Sequence, residues 1–119
     1  MALLVQKFGG TSVGTPERIS AVAERVQRDI AAGNQVVVVV SAMSGETNRL
    51  TELGRTIAPK GSPEFMDVLL ASGEQVTISL LSLALAQLNV PATPFLAHQI
   101  AIHTDDQFGK ARLTEIDTE

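Results

Sequence analysis

An α/β fold with a mainly parallel sheet and helices on both faces is what this sequence predicts. Three observations carry that expectation. Leu3, Leu4 and Val5 lead through Gln6, Lys7 and Phe8 to an abrupt stop at Gly9 and Gly10, the pattern of a short strand ending in a glycine loop. A capped amphipathic stretch follows from Thr15, and an unbroken β-branched run then occupies residues 36–40. Strand, helix and strand in that order form a βαβ unit, which closes into a parallel pair.

The elements follow in order. Thr15 suits the N-cap of the first helix, Pro16 its first position, and Glu17 complements the helix dipole. Ile19, Val22, Ala23, Val26 and Ile30 recur at helical spacing, with Glu24 and Arg28 paired four apart on the wet face. Gly33 and Asn34 end this helix. The five valines that follow predict a strand covered on both faces. Leu50, Leu53 and Ile57 mark a second helix, ended by Pro59 and Gly61. Ser62 and Pro63 predict a short third helix stopping near Gly73, and a fourth runs from about Glu74 to Leu88. The apolar character of the fourth calls for cover on more than one side, with Gln75, Ser79 and Ser82 as a narrow polar stripe. Residues 91–96 and 111–116 are candidate strands, separated by a polar turn at Asp105, Asp106 and Gly109.

Composition narrows the function. At 119 residues, 45% hydrophobic and 18% charged, the chain has the material for one folded domain and its core. Nine Lys and Arg against 13 Asp and Glu leave a net charge of −4, which argues against nucleic-acid binding. Aromatic residues, all Phe, make up 3%, too few for base-stacking platforms. Cysteine is absent, so disulfides and thiol chemistry are excluded and a cytoplasmic setting is expected. The N-terminal apolar stretch is too short for a signal peptide. The apolar run at residues 76–88 falls short of the roughly 20 residues of a membrane span.

In open α/β sheets ligands gather at the carboxyl ends of the strands. Three polar groups fall there. The first is Lys7, Phe8, Gly9, Gly10, Thr11 and Ser12. Glycines let backbone amides approach a phosphate, and Lys7 adds a point charge at the strand tip. The loop is neither a Walker A sequence nor Gly-x-Gly-x-x-Gly, which disfavours a dinucleotide-dependent oxidoreductase. Taken alone, it serves equally as a tight turn with a solvated lysine. The second group runs from Ser41 through Thr47 and Asn48, where hydroxyls and helix-entry amides suit a small anion; alternatively Ser44 or Thr47 merely caps a helix. The third is Ser72, Gly73, Glu74 and Gln75, a carboxylate whose plainest role is to complement a helix start. His98 and His103 lack metal-ligand spacing and are assigned to surface or packing.

Together, and in this order, the three groups resemble the N-terminal signatures of aspartate kinases, members of the amino-acid kinase superfamily. The resemblance rests on Lys7-Phe8-Gly9-Gly10-Thr11-Ser12-Val13-Gly14, on residues 40–50 with Ser41, Ser44, Gly45, Glu46 and Thr47, and on Ser72-Gly73-Glu74-Gln75. It covers essentially the whole chain. The segment from Ala97 to Leu113 is similar to a further family region, with Ala97 where the family usually has glycine and Phe108-Gly109-Lys110 as a variant.

The resemblance implies the N-terminal part of a carbamate-kinase-like fold, with residues 1–119 as the first portion of an aspartokinase catalytic domain. It implies transfer of the γ-phosphoryl group of ATP to the side-chain carboxylate of L-aspartate, giving 4-phospho-L-aspartate on the route to lysine, threonine, methionine and diaminopimelate. Carried over, Lys7 is catalytic and, with Phe8, Gly9, Gly10 and Ser41, binds the ATP phosphates. Ser41, Thr47 and Glu74 bind aspartate, Glu74 through the ammonium group. Mg²⁺ arrives with ATP. A homo-oligomer is expected, without nucleic-acid or membrane partners. The adenine-binding half and the regulatory ACT domains fall beyond Glu119, so the chain is read as a fragment without turnover of its own. The alternative is a truncated, non-catalytic module of the same fold that binds an anion or a partner.

Overall fold

The structure, a computed structural model, describes residues 1–100 and 102–116. Thr118 and Glu119, the last residues of the expected catalytic-domain portion, lie outside the described residues.

Strand β1 (Leu3–Phe8) and strand β2 (Gln35–Val40) pair in parallel, with Val5 opposite Val37 and Lys7 opposite Val39. Helix α1 (Pro16–Ala31) makes the crossover between them. The Thr15 side chain accepts a hydrogen bond from the Arg18 amide at 3.2 Å, so the expected cap is present. At the other end Gly33 takes φ +94°; its amide donates to the Ile30 carbonyl, and that of Asn34 donates to Asp29. These two bonds are the paired closure of a Schellman motif, which a residue with a Cβ would strain.

Strand alternation divides the sheet. Phe8, Val36, Val38 and Val40 pack against the core formed by Val13, Ile19, Val22, Ala23, Val26, Leu81, Leu85 and Val90. Leu3, Val5, Val37 and Val39 point the other way and are exposed. The two-sided cover expected of the valine strand is thus realised on one face. Helices α1 and α3 both lie on that face, and no described element lies on the other.

Helix α2 (Glu46–Ile57) forms where Leu50, Leu53 and Ile57 placed it. The next two expected helices are instead one, α3 (Pro63–Gln87), which runs through Gly73 without a break. The physical reason is packing. A Cβ on Gly73 would sit 3.1 Å from the Ala42 Cβ and 3.5 Å from Leu50 Cδ1. Glycine here admits a neighbour and terminates nothing. Its stripe of Gly73, Thr77, Leu81 and Leu85 is buried against α1, α2 and β2, while Phe65, Val68 and Leu83 stay exposed. Cover on more than one side is therefore confined to this stripe and its flanks. Uninterrupted, α3 also exceeds the apolar segment counted from sequence: by length and composition alone it could cross a membrane. Its buried stripe and its acids Glu64, Asp67 and Glu74 are those of a helix packed on neighbours.

Residues 91–96 are not a strand. Pro91 and Pro94 lack amide donors, and no described strand edge lies beside them. A 3₁₀ turn at Ala97–Ile100 carries His98. Beyond it β3 (Ile102–Thr104) and β4 (Leu113–Ile116) form an antiparallel ribbon around the expected Asp105–Gly109 turn. The Gly109 amide donates to the Asp67 carboxylate at 2.7 Å, fastening the turn to α3.

Candidate functional site

The loops leaving β1 and β2 meet at the carboxyl end of the sheet, as parallel pairing requires. The Ser41 amide donates to the Phe8 carbonyl at 3.2 Å and the Ser44 amide to the Gly10 carbonyl at 3.1 Å. A Cβ on Gly10 would stand 3.0 Å from the Ala42 carbonyl oxygen and 3.3 Å from the Ser44 nitrogen. Only a glycine lets the two backbones clasp this closely.

An open cleft of about 360 Å³ lies at this clasp, lined by the 41–45 loop, Gly10, Thr47, Asn48 and Glu74. It brings together Gly10, Ser41, Thr47 and Glu74 from three separate stretches of sequence. Gly73 is what brings α3 near: the 42–50 segment packs over its bare Cα, which sets the neighbouring Glu74 at the cleft wall.

Gly45 enters α2 with φ +80° and leaves the helix without a side-chain cap. Neither Ser44 nor Thr47 performs the capping role open to them from sequence. The Glu46 amide is taken by the Met43 carbonyl and that of Arg49 by Gly45. Among the described residues the amides of Thr47 and Asn48 have no acceptor, as orphan donors of a first helical turn. Both residues line the cleft, so α2 directs free donors and the positive end of its dipole into it.

Glu74 stands near the middle of α3, where no dipole needs a carboxylate. The role at a helix start that sequence offered is therefore removed, and among the described residues Glu74 is the one acidic residue lining the cleft. Glu46 is spoken for. Arg49 donates from Nε to its carboxylate at 3.0 Å, and this hydrogen bond holds the Glu46 carboxyl below its usual range and raises Arg49. Among the described residues no group of three His, Asp or Glu could hold a metal ion.

The remaining candidates lie apart from the cleft. Phe8 turns into the core, with the Arg25 guanidinium 5.9 Å from its ring centroid, so only its backbone can face a ligand. Lys7, one residue earlier, is exposed on the open side of the sheet beside Val39. Gly9 is exposed in the turn whose carbonyl accepts the Ser12 amide at 3.0 Å. Asn48 has no role of its own that the sequence points to. Its signal was positional, since the third residue of any helix carries an orphan amide.

The model of the amino acid kinase family matches residues 2–119. The chain is 53% identical over 119 residues to an aspartate kinase of Stutzerimonas stutzeri, covering 100% of this chain and 29% of that protein. It is 56% identical over 117 residues to an aspartokinase of Pseudomonas aeruginosa, covering 98% of this chain and 28% of that protein. The chain thus spans less than a third of the length of these curated relatives. Among solved structures, the aspartate kinase from Synechocystis matches with a TM-score of 0.74 and 55% identity, covering 76% of this chain and 16% of that one. E. coli aspartokinase III in complex with aspartate and ADP matches with a TM-score of 0.78 over 96% of this chain and 35% of that one. At 23% identity, that likeness speaks for the fold alone.

Proposed function

The chain belongs to the amino acid kinase family, and from that premise we propose that it is the N-terminal portion of the catalytic domain of a cytoplasmic aspartate kinase. The reaction is transfer of the ATP γ-phosphoryl group to the side-chain carboxylate of L-aspartate. A carboxylate oxygen forms a bond to the γ-phosphorus, the bond to the β–γ bridging oxygen breaks, and ADP leaves. The aspartate side chain, with a reference pKa of about 3.9, is already ionised at neutral pH and needs no general base. The barrier is the approach of two anions, so catalysis consists of positioning and charge neutralisation.

One observation carries the substrate assignment: a single cleft has the free amides of Thr47 and Asn48 and the carboxylate of Glu74 on its walls. An amino acid is complementary to that pair, its carboxylate meeting the helix N-terminus and its ammonium meeting Glu74. Ser41 and Thr47 add hydroxyls. The phosphates lie toward the β1 loop, where Gly9 and Gly10 present backbone and Lys7 offsets the charge of the group in transfer. Phe8 contributes backbone while its ring anchors the strand tip. Mg²⁺ enters with ATP, as a cation that prefers phosphate oxygens and water to an all-protein cage.

The test is kinetic and uses the full-length parent. Lys7→Ala lowers kcat strongly with little change in the KM for aspartate, because the lysine contact grows with charge in the transition state. Glu74→Gln raises the KM for aspartate more than it lowers kcat. The same pattern from both variants would overturn this division of roles. The 119-residue chain alone shows no turnover, and aspartyl phosphate formed by it would refute the assignment as a portion of the catalytic domain.

A further inference from the structure

We infer that Ser44 is a further catalytic residue of the cleft, its hydroxyl donating a hydrogen bond to the phosphoryl group in transfer. The inference rests on the aspartate kinase reading above and adds a donor to which the family resemblance assigns no role.

Ser44 is held where the two loops lock. Its amide donates to the Gly10 carbonyl at 3.1 Å. A Cβ on Gly10 would stand 3.3 Å from the Ser44 nitrogen and 3.4 Å from its Cα, and a Cβ on Gly14 would stand 3.3 Å from the Ser44 Cβ. Two residues of the facing loop thus do without side chains at the places where Ser44 presses against them. Its backbone and Cβ are fixed, and only the rotation of the hydroxyl about χ1 is left free.

That hydroxyl does nothing for the fold. It leaves α2 without a side-chain cap, although serine is among the best capping residues. Farther along α2 and α3, Thr51, Thr56, Thr77, Ser79 and Ser82 each spend their hydroxyl on a carbonyl one turn back. Ser44 has no such partner among the described residues; it is exposed and lines the cleft. A serine with a fixed stem and an uncommitted donor is preorganised for a ligand.

Its place between the two reactants decides which ligand atoms it meets. The residues after it open α2, whose free amides, with Glu74, hold the amino-acid end of aspartate in this reading. On its other side stands Gly10, in the loop that holds the phosphates. The substrate side chain runs from the α2 end toward Gly10, and Ser44 belongs to the segment that spans this gap. Charge on the group in transfer is spread over three equatorial oxygens, each an acceptor for such a donor. Ser44 keeps its proton throughout. The attacking atom is already an ionised carboxylate oxygen, whereas a serine nucleophile would need a base. Glu74, the carboxylate on the cleft wall, is engaged by the ammonium group.

The test compares Ser44→Ala with the unmodified enzyme, both as the full-length parent. Alanine keeps the Cβ against Gly14 and the amide on Gly10, and removes only the donor. The kcat is expected to fall about ten- to a hundredfold, the range for one hydrogen bond to a charged transition state. The KM for aspartate should stay within about twofold and the Tm should not move, because neither ground-state binding nor packing uses this hydroxyl. A fall in kcat of less than about fivefold, in a parent that does phosphorylate aspartate, would overturn the inference and leave the aspartate kinase reading intact. So would a lowered Tm accompanying the loss, or a raised KM at unchanged kcat, since either gives Ser44 a different duty. If the unmodified parent forms no aspartyl phosphate, the reading fails and the inference falls with it.

Discussion

Helices α1 and α2 begin at equivalent places, each just beyond a loop at the carboxyl end of a parallel strand, yet their N-termini are opposites. Thr15 closes α1 with its own side chain, and Pro16 removes a further donor. Gly45 opens α2 and leaves the Thr47 and Asn48 amides facing a cleft. A capped helix end has spent its donors on stability, whereas an uncapped one keeps them for a ligand. The difference teaches that the glycine-rich loop, although the more conspicuous sequence, is here the clasp, and that the less conspicuous 41–48 segment supplies the free helix end.

The largest expected effect comes from breaking the clasp that the two loops share. Gly10→Val places a side chain against the Ala42 carbonyl and should cost about 1–3 kcal/mol, read as a lowered Tm of the chain. Less costly is Gly45→Ala, which puts a Cβ on a backbone at φ +80° and should lose roughly 1–2 kcal/mol. It should also reorient the amides of Thr47 and Asn48, visible as changed NMR shifts on phosphate titration. Thr15→Ala inverts the comparison by uncapping α1. It should cost about 1 kcal/mol while leaving the phosphate response of Thr47 and Asn48 untouched. An equal response of Arg18 and Asn48 in the unmodified chain would erase the distinction between the two helix ends.

The smallest effect concerns Glu46 and Arg49 at the start of α2. Hydrogen bonding from Arg49 lowers the Glu46 pKa on folding. The stabilisation is therefore complete above the unfolded carboxylate pKa and disappears as pH falls through the lower folded value. Arg49→Gln should flatten that acid limb slightly in unfolding curves taken between about pH 6 and pH 3, and a flat limb in the unmodified chain would contradict the pair. Because the pair is exposed, its contribution is small.

The first half of the fold was legible because its signals are local. Thr15-Pro16-Glu17, the 3.6-residue spacing of α1, Gly33-Asn34 and the valine run each act within a few residues of themselves. Gly73 was not legible in this way. A glycine between two apolar stretches is punctuation by sequence and a packing contact in space, and only Ala42 and Leu50, more than 20 residues upstream, decide which. The same long reach hid the position of Glu74, which appears to begin a helix only if Gly73 ends one. Of the candidate site, the loop motifs, Ser41 and Thr47 stand out as polar residues after parallel strands. The binding roles of Ser41, Thr47 and Glu74 come instead from the family resemblance, since residue chemistry alone left capping and dipole duties open for Thr47 and Glu74. The absence of a cap on α2 could not be named from sequence, since Ser44 and Thr47 are both capping residues by type and are excused from that role by the backbone of Gly45.

Strand β1 ends by sending two consecutive side chains to opposite sides: Phe8 into the core under Arg25, Lys7 to the open face. That division rests on a parity count. Inserting or deleting one codon within β1 would exchange the two, driving an ammonium group into the valine layer and a benzyl group into water, whereas a two-codon change would restore the alternation. Length variation in this strand is thus constrained to even steps, a restriction on how the gene can change that no single substitution would reveal.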